Sequence, residues 1–183
     1  LLPLPRTWLL IACFGIINSG YGIVVAWLAP AYMAAGWSAQ QGGELVAWLA
    51  LAQTASGLGL PLLAAGRLDR RPWMALAIAM QLAGFGGLWL APQTAPLLWC
   101  LLCGAGLGGS FSLIMVIALD HLPDPRRAGA LCALMQGVGF MVAATGPWVA
   151  ARLHHASGDF AAAWQWQLGA LVLMSLRVVR LNP

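Results

Sequence analysis

Charge is what this sequence has least of. Only 8% of its 183 residues are Asp, Glu, Lys or Arg, against 61% hydrophobic, whereas a water-soluble domain carries about 25% charged residues. A soluble fold of this size has too little interior to hide that much apolar surface, so that class is excluded. Lysine is absent, and all nine basic residues are Arg. No Asp, Glu, Lys, Arg or His occurs from Thr7 to Gly43, Leu45 to Gly66, Trp73 to Leu119, Ala128 to Ala151 or Phe160 to Leu176. Each stretch is long enough for one or two bilayer crossings of about 20 residues.

Other absences narrow the function. The first residues contain neither an initiating Met nor a basic leader with a small-residue cleavage site, so the first apolar segment reads as a span rather than a secretory signal. The chain is expected to be a piece of something longer. Its net charge of +4 does not point to nucleic acid, because the arginines are scattered at helix ends instead of gathered on one face. Cys100 and Cys103 form a CxxC, but with no second pair and no histidine cluster they read, like Cys13 and Cys132, as small buried hydrophobes. No metal or other cofactor is expected. There is no nucleotide-binding cassette, so the energy source is expected to be an ion or solute gradient unless a separate subunit provides it.

The expected fold is an all-α membrane protein, a single six-helix transmembrane bundle over residues 1–183. Helices are expected near 8–29, 45–65, 73–90, 97–119, 128–150 and 161–179. Pro30 ends the first, and a Gly-rich connection from Ala34 to Gly43 precedes the second. Ala91-Pro-Gln-Thr-Ala-Pro96 divides the 47-residue uncharged run that ends at Leu119. Gln165 and Gln167 make the sixth helix the least apolar of the set.

With the amino end in the cytoplasm, Arg6, Arg67, Arg70, Arg71, Arg126, Arg127, Arg177 and Arg180 all fall inside, and Arg152 alone falls outside, a strong positive-inside bias. The same orientation puts most tryptophans near the outer interface, with Trp8 and Trp73 at the inner one. Both ends are therefore expected in the cytoplasm.

Several motifs admit two readings. Gly104-Ala-Gly106-Leu-Gly-Gly109 matches the GxGxxG dinucleotide fingerprint, but it lies inside an apolar helix with no strand before it. Gly104 and Gly108 instead form GxxxG, which lets a neighbouring helix approach closely. Gly108-Gly-Ser110-Phe invites comparison with intramembrane serine proteases, yet His121, His154 and His155 all lie at helix ends or in loops, leaving Ser110 no base. The chain is not expected to be an enzyme.

The loops Gly66-Arg-Leu-Asp-Arg-Arg-Pro72 and Asp120-His-Leu-Pro-Asp-Pro-Arg-Arg127 each set acids beside arginines. They serve either as topogenic charge with helix capping by Asp69 and Asp120, or as a conformational latch built on Asp69, Arg70 and Arg71. Asn18, Gln53, Gln81 and Gln136 are polar groups inside apolar helices, where they need partners. Asn18 lies one turn from Tyr21, and Gln136 shares a face with Phe140 and Pro147. Asn18, Tyr21, Gln53 and Gln136 are the candidate walls of a substrate path; interhelical hydrogen bonding is the alternative role for the amides. Gly146 and Pro147 are candidates for bending the fifth helix.

These residues also carry a resemblance. Gly66-Arg-Leu-Asp-Arg-Arg is similar to the loop between the second and third helices in each half of major facilitator superfamily transporters. Here Asp69 stands one position early, and Pro72 replaces a later glycine. Gly146-Pro147 is similar to the Gly-Pro of the fifth helix of a half. Ser19-Gly-Tyr21, Ala26-Trp-Leu-Ala-Pro-Ala-Tyr32, Gly36-Trp-Ser38, Arg127-Ala-Gly-Ala-Leu131 and Met135-Gln-Gly-Val-Gly-Phe140 resemble the cyanate and nitroimidazole permease branch.

The resemblance implies the carboxyl-terminal half of a twelve-helix fold, a missing amino-terminal half as partner, and a bacterial inner-membrane location. It further implies secondary-active transport of a small solute by alternating access, with a small anion such as cyanate, or a nitroimidazole-like compound, as the suggested class. A non-transporting six-helix scaffold or dimerising subunit is the alternative.

Overall fold

A computed structural model describes the backbone of residues 5–66, 69–120 and 122–178, and the side chains of residues 7–66, 69–120 and 122–176. The expected positions of Arg6, Arg67, His121, Arg177 and Arg180 therefore lie outside the described residues or side chains. Six helices follow in order: α1 Pro5–Ala34, α2 Ala39–Ala64, α3 Arg71–Leu90, α4 Pro96–Asp120, α5 Pro125–Ser157 and α6 Ala161–Val178. Helices suit a bilayer because each satisfies its own backbone hydrogen bonds where no water is available. The first five are long and apolar enough to cross a membrane. α6 has 18 residues, among them Gln165 and Gln167.

Several ends differ from those the apolar runs suggest. α1 does not stop at Pro30 but continues through it to Ala34, since packed neighbouring helices let a membrane helix tolerate a proline. It stops instead at Gly36, whose φ of 95° suits a residue without Cβ. There the Trp37 N–H donates to the Tyr32 carbonyl and the Gly36 N–H to that of Met33, both at 3.0 Å, a Schellman end.

α2 begins at Ala39, six residues before Leu45, because Ser38 and Gln41 form a reciprocal capping box. α5 starts behind the cap of Asp124 and runs through Pro147 to Ser157, ending at Gly158 with φ 72°. Arg152, His154 and His155 thus belong to the helix.

α2 packs chiefly on α4, α1 on α5, and α3 on α4 and α6. The tightest approach is where α4 meets α2: a Cβ at Gly104 or Gly108 would collide with the backbone carbonyls of Leu49 and Gln53. Gly104 and Gly108 accordingly act as a helix-contact surface, and no strand adjoins them. α1 and α5 interlock similarly, Gly139 facing Phe14 and Gly146 facing Ser19.

Burial is uneven. Over the most apolar 18 residues of each helix, 56% are buried in α1 and in α4, against 17% in α2 and 33% in α5. α1 and α4 therefore form the spine of the described bundle, while α2 and α5 leave broad apolar faces uncovered.

Candidate functional site

Phe14 on α1 is the hub of the mid-helix region. It is fully buried, its ring 5.1 Å from Phe140 of α5 in a T-shaped contact and 5.6 Å from Phe111 of α4 in a tilted one. Such ring pairs add roughly 0.5–1.5 kcal/mol beyond burial, so three helices are held at one level. Gly139 makes room for the Phe14 ring.

One turn along α1, the Asn18 side-chain amide donates to the Phe14 carbonyl at 2.8 Å. Its carboxamide oxygen takes no hydrogen bond from any described residue. Tyr21, a further turn on, is 40% exposed, and Phe140 is 48% exposed. Gln136 precedes Phe140 by one helical turn and is half-buried. No side-chain hydrogen bond to Tyr21, Gln53 or Gln136 is found among the described residues. The result is a partly open wall with aromatic rings, the Asn18 carboxamide oxygen and the Gln136 amide left without partners among the described residues, a phenol, and no charged side chain.

The sequence candidates are not all gathered together. Phe14 links the faces of α1 and α5 that carry Asn18, Tyr21 and Gln136. Gln53 is half-buried on α2, its backbone backing Gly108 of α4, about one turn before Phe111. Phe14 and Phe111 enter this region although the sequence offered no sign beyond their being aromatic in apolar runs.

Two other glutamines have different roles. Gln81 is fully buried, and its amide donates to the Gly106 carbonyl at 3.2 Å and to Ser110 Oγ at 2.7 Å. It clamps α3 to α4, and it occupies the very serine that would be a nucleophile. Gln167 is likewise fully buried and donates to the Ile16 carbonyl at 3.0 Å, tying α6 to α1. Of the two glutamines that make α6 look weak as a span, Gln167 is thus spent on an interhelical bond, while Gln165 is exposed.

Contacts also distinguish the two ends of the bundle. At one end, the Tyr32 hydroxyl donates to the Pro92 carbonyl at 2.7 Å and Trp37 Nε1 to Gln93 Oε1 at 3.1 Å, joining the α1–α2 and α3–α4 connections. At the other, Arg70 Nη2 lies 2.8 Å from Asp120 Oδ2, pairing the α2–α3 connection with the end of α4. In the same connection the Asp69 carboxylate accepts the Arg71 backbone N–H at 3.0 Å, at the start of α3. A second, longer pair joins Arg127 and Asp124 at 3.7 Å.

Gly146 and Pro147 face α1, Pro147 Cγ standing 3.0 Å from where a Cβ on Gly22 would be. All four cysteines are buried and unbridged, and no cluster of metal-ligating side chains occurs among the described residues.

A polytopic α-helical membrane protein, with an uncharged aromatic and amide wall between its helices, is the class these features define. The chain is 42% identical over 178 residues to the cyanate transport protein CynX of Escherichia coli (strain K12), a match spanning 97% of this chain and 46% of that protein. It is 31% identical over 172 residues to the 2-nitroimidazole transporter of the same organism, covering 94% of this chain and 42% of the relative. With the uncharacterized transporter YycB of Bacillus subtilis (strain 168) it shares 27% identity over 142 residues, 76% of this chain and 35% of that one. No family model matches.

These relatives are named as transport proteins rather than enzymes, and the first two carry the names of the branch the motifs resemble. The chain is homologous to them over nearly all its length but spans less than half of theirs.

Proposed function

We propose that this chain is the carboxyl-terminal half of a twelve-helix major facilitator transporter that carries a small solute across the bacterial inner membrane by alternating access. The observation carrying this reading is the open wall of Asn18, Tyr21 and Gln136 around the Phe14 hub, in a chain 42% identical to a cyanate transport protein. The Asn18 carboxamide oxygen offers an acceptor and the Gln136 amide both donors and an acceptor to a small polar solute, and the rings offer it flat faces. Gln53 contributes from α2. Cyanate-like anions and nitroimidazole-like compounds are the solutes the relatives' names suggest.

The wall holds no charge, so compensation for an anion falls to the amino-terminal half, and any proton coupling to that half or to a residue at a mouth of the bundle. The uncovered faces of α2 and α5 suit that half as a partner, with the halves rocking about the shared site. Gly146 and Pro147 bend α5 where it meets α1. Asp69, Arg70 and Arg71 form the latch at the arginine-rich end, with Arg70 paired to Asp120 in the conformation seen here. Positive-inside bias puts that end, and both termini, in the cytoplasm.

Uptake of labelled cyanate and of 2-nitroimidazole by the full-length protein in proteoliposomes tests the reading. Asn18→Ala and Gln136→Ala are expected to reduce uptake of at least one solute about tenfold at unchanged protein level. Wild-type rates in both variants would remove the wall from the mechanism.

A further inference from the structure

A cavity of about 410 Å³ opens at the end of the bundle opposite the Arg70–Asp120 pair, apart from the Phe14 wall. The end of α1, the end of α3 with its following turn, and the α5–α6 connection enclose it. Its walls include the rings of Tyr32, Trp89, Phe160 and Trp164, with Gln93 and Asp159 as its polar side chains. Trp164 is buried and Trp89 is 40% exposed, so the rings run from floor to rim.

No Arg, Lys or His lines the cavity, and its polar groups are largely committed. The Tyr32 hydroxyl is spent on the Pro92 carbonyl, and the Gln93 carboxamide oxygen on Trp37. Asp159 accepts the Ala161 N–H through Oδ1 at 3.0 Å, capping α6. Its Oδ2 has no hydrogen-bond or ion-pair partner among the described residues.

An anion entering here would meet a carboxylate and no cation. A compact organic ammonium would meet the opposite: one unpaired carboxylate and a set of aromatic side chains, whose quadrupoles attract cations, although one face of Phe160 is covered by the stacked His154 ring at 4.2 Å. The volume lies within the usual range for small-ligand sites, roughly 300–1,000 Å³. Its tryptophans sit at the end of the spans, the level of lipid headgroups.

We propose that this cavity binds an alkylammonium group, held by the rings of Trp89, Trp164 and Phe160 and by the carboxylate of Asp159. The group comes either from a zwitterionic phospholipid headgroup or from a free solute. The proposal stands apart from the transport reading, because binding here is measured without transport.

The test is thermal unfolding of the purified full-length protein in detergent, with choline chloride titrated against sodium chloride at equal ionic strength. Choline is expected to raise the melting temperature saturably, beyond the salt control. Asp159→Asn keeps a side chain able to cap α6 but removes the charge; it is expected to start from the wild-type melting temperature and to bind choline about tenfold more weakly. If that variant fails to fold, Trp89→Leu, altering a half-exposed ring, is expected to weaken binding severalfold.

Repeating the titration in phosphatidylethanolamine and in phosphatidylglycerol nanodiscs separates the sources. Choline stabilisation confined to phosphatidylglycerol discs supports a lipid headgroup as the occupant, whereas equal stabilisation in both supports a free amine. Choline acting no better than sodium chloride, or binding Asp159→Asn or Trp89→Leu as tightly as wild type, would overturn the proposal.

Discussion

Gln81 and Gln136 are the same residue type in similarly apolar helices, yet their surroundings differ. Gln81 is fully buried and spends its amide on Gly106 and Ser110, so Gln81→Ala leaves partners buried and unsatisfied and is expected to cost about 1–2 kcal/mol. A fall in the melting temperature of the purified protein checks this. Gln136 is half-buried and unbonded among the described residues, so the same change there should leave that temperature within error and act on uptake alone. A destabilised Gln136→Ala would make it a packing residue like Gln81. At Gly108 the argument is steric: any Cβ collides with the Gln53 carbonyl. Gly108→Leu should therefore cost 3 kcal/mol or more, the upper end of roughly 1–3 kcal/mol for overpacking, measured as loss of folded protein in the membrane fraction.

At the scale of elements, the ion pair between the α2–α3 connection and the end of α4 separates stability from motion. Arg70 and Asp120 side chains are 23% and 55% exposed, and exposed pairs contribute only about 0–1 kcal/mol. Arg70→Ala should thus barely shift thermal unfolding. If the pair breaks and reforms during the cycle, however, the maximal uptake rate should fall severalfold with little change in the concentration giving half-maximal uptake. The exchanged pair Arg70→Asp with Asp120→Arg should recover much of that loss, and no recovery would count against the latch. Helix ends show what apolar runs do and do not reveal. The early start of α2 is legible in Ser38 and Gln41, a capping box written in four consecutive residues, whereas the expectation of Leu45 weighs only hydrophobicity. The continuation of α1 past Pro30 is not legible locally, because neighbouring helices decide whether a proline ends or only interrupts a helix.

At the scale of the whole molecule, the faces of α2 and α5 cannot be accounted for by the six helices themselves. Leu58 and Leu62 on α2 are 67% and 73% exposed, as expected of surfaces that meet lipid or another bundle. The transporter reading therefore predicts that this chain expressed alone gives no uptake, and that co-expression with the remainder of the full-length protein restores it. Uptake by the chain alone would favour a self-assembling six-helix protein. Orientation is checked separately: fluorescent-protein fusions at the carboxyl end should be bright, and alkaline phosphatase fusions there inactive. The reverse pattern would invert the arginine-based topology.

Membrane class, helical architecture and kinship with small-solute transporters were readable from the chain alone, because hydropathy, arginine placement and local motifs act residue by residue along it. Which polar groups became clamps and which stayed open was decided only by the fold. Gln81 finds Ser110 across 29 positions, Gln167 finds Ile16 across 151, and Arg70 finds Asp120 rather than its neighbour Asp69. Those pairings depend on how the helices are set against one another, a register that composition and periodicity do not encode.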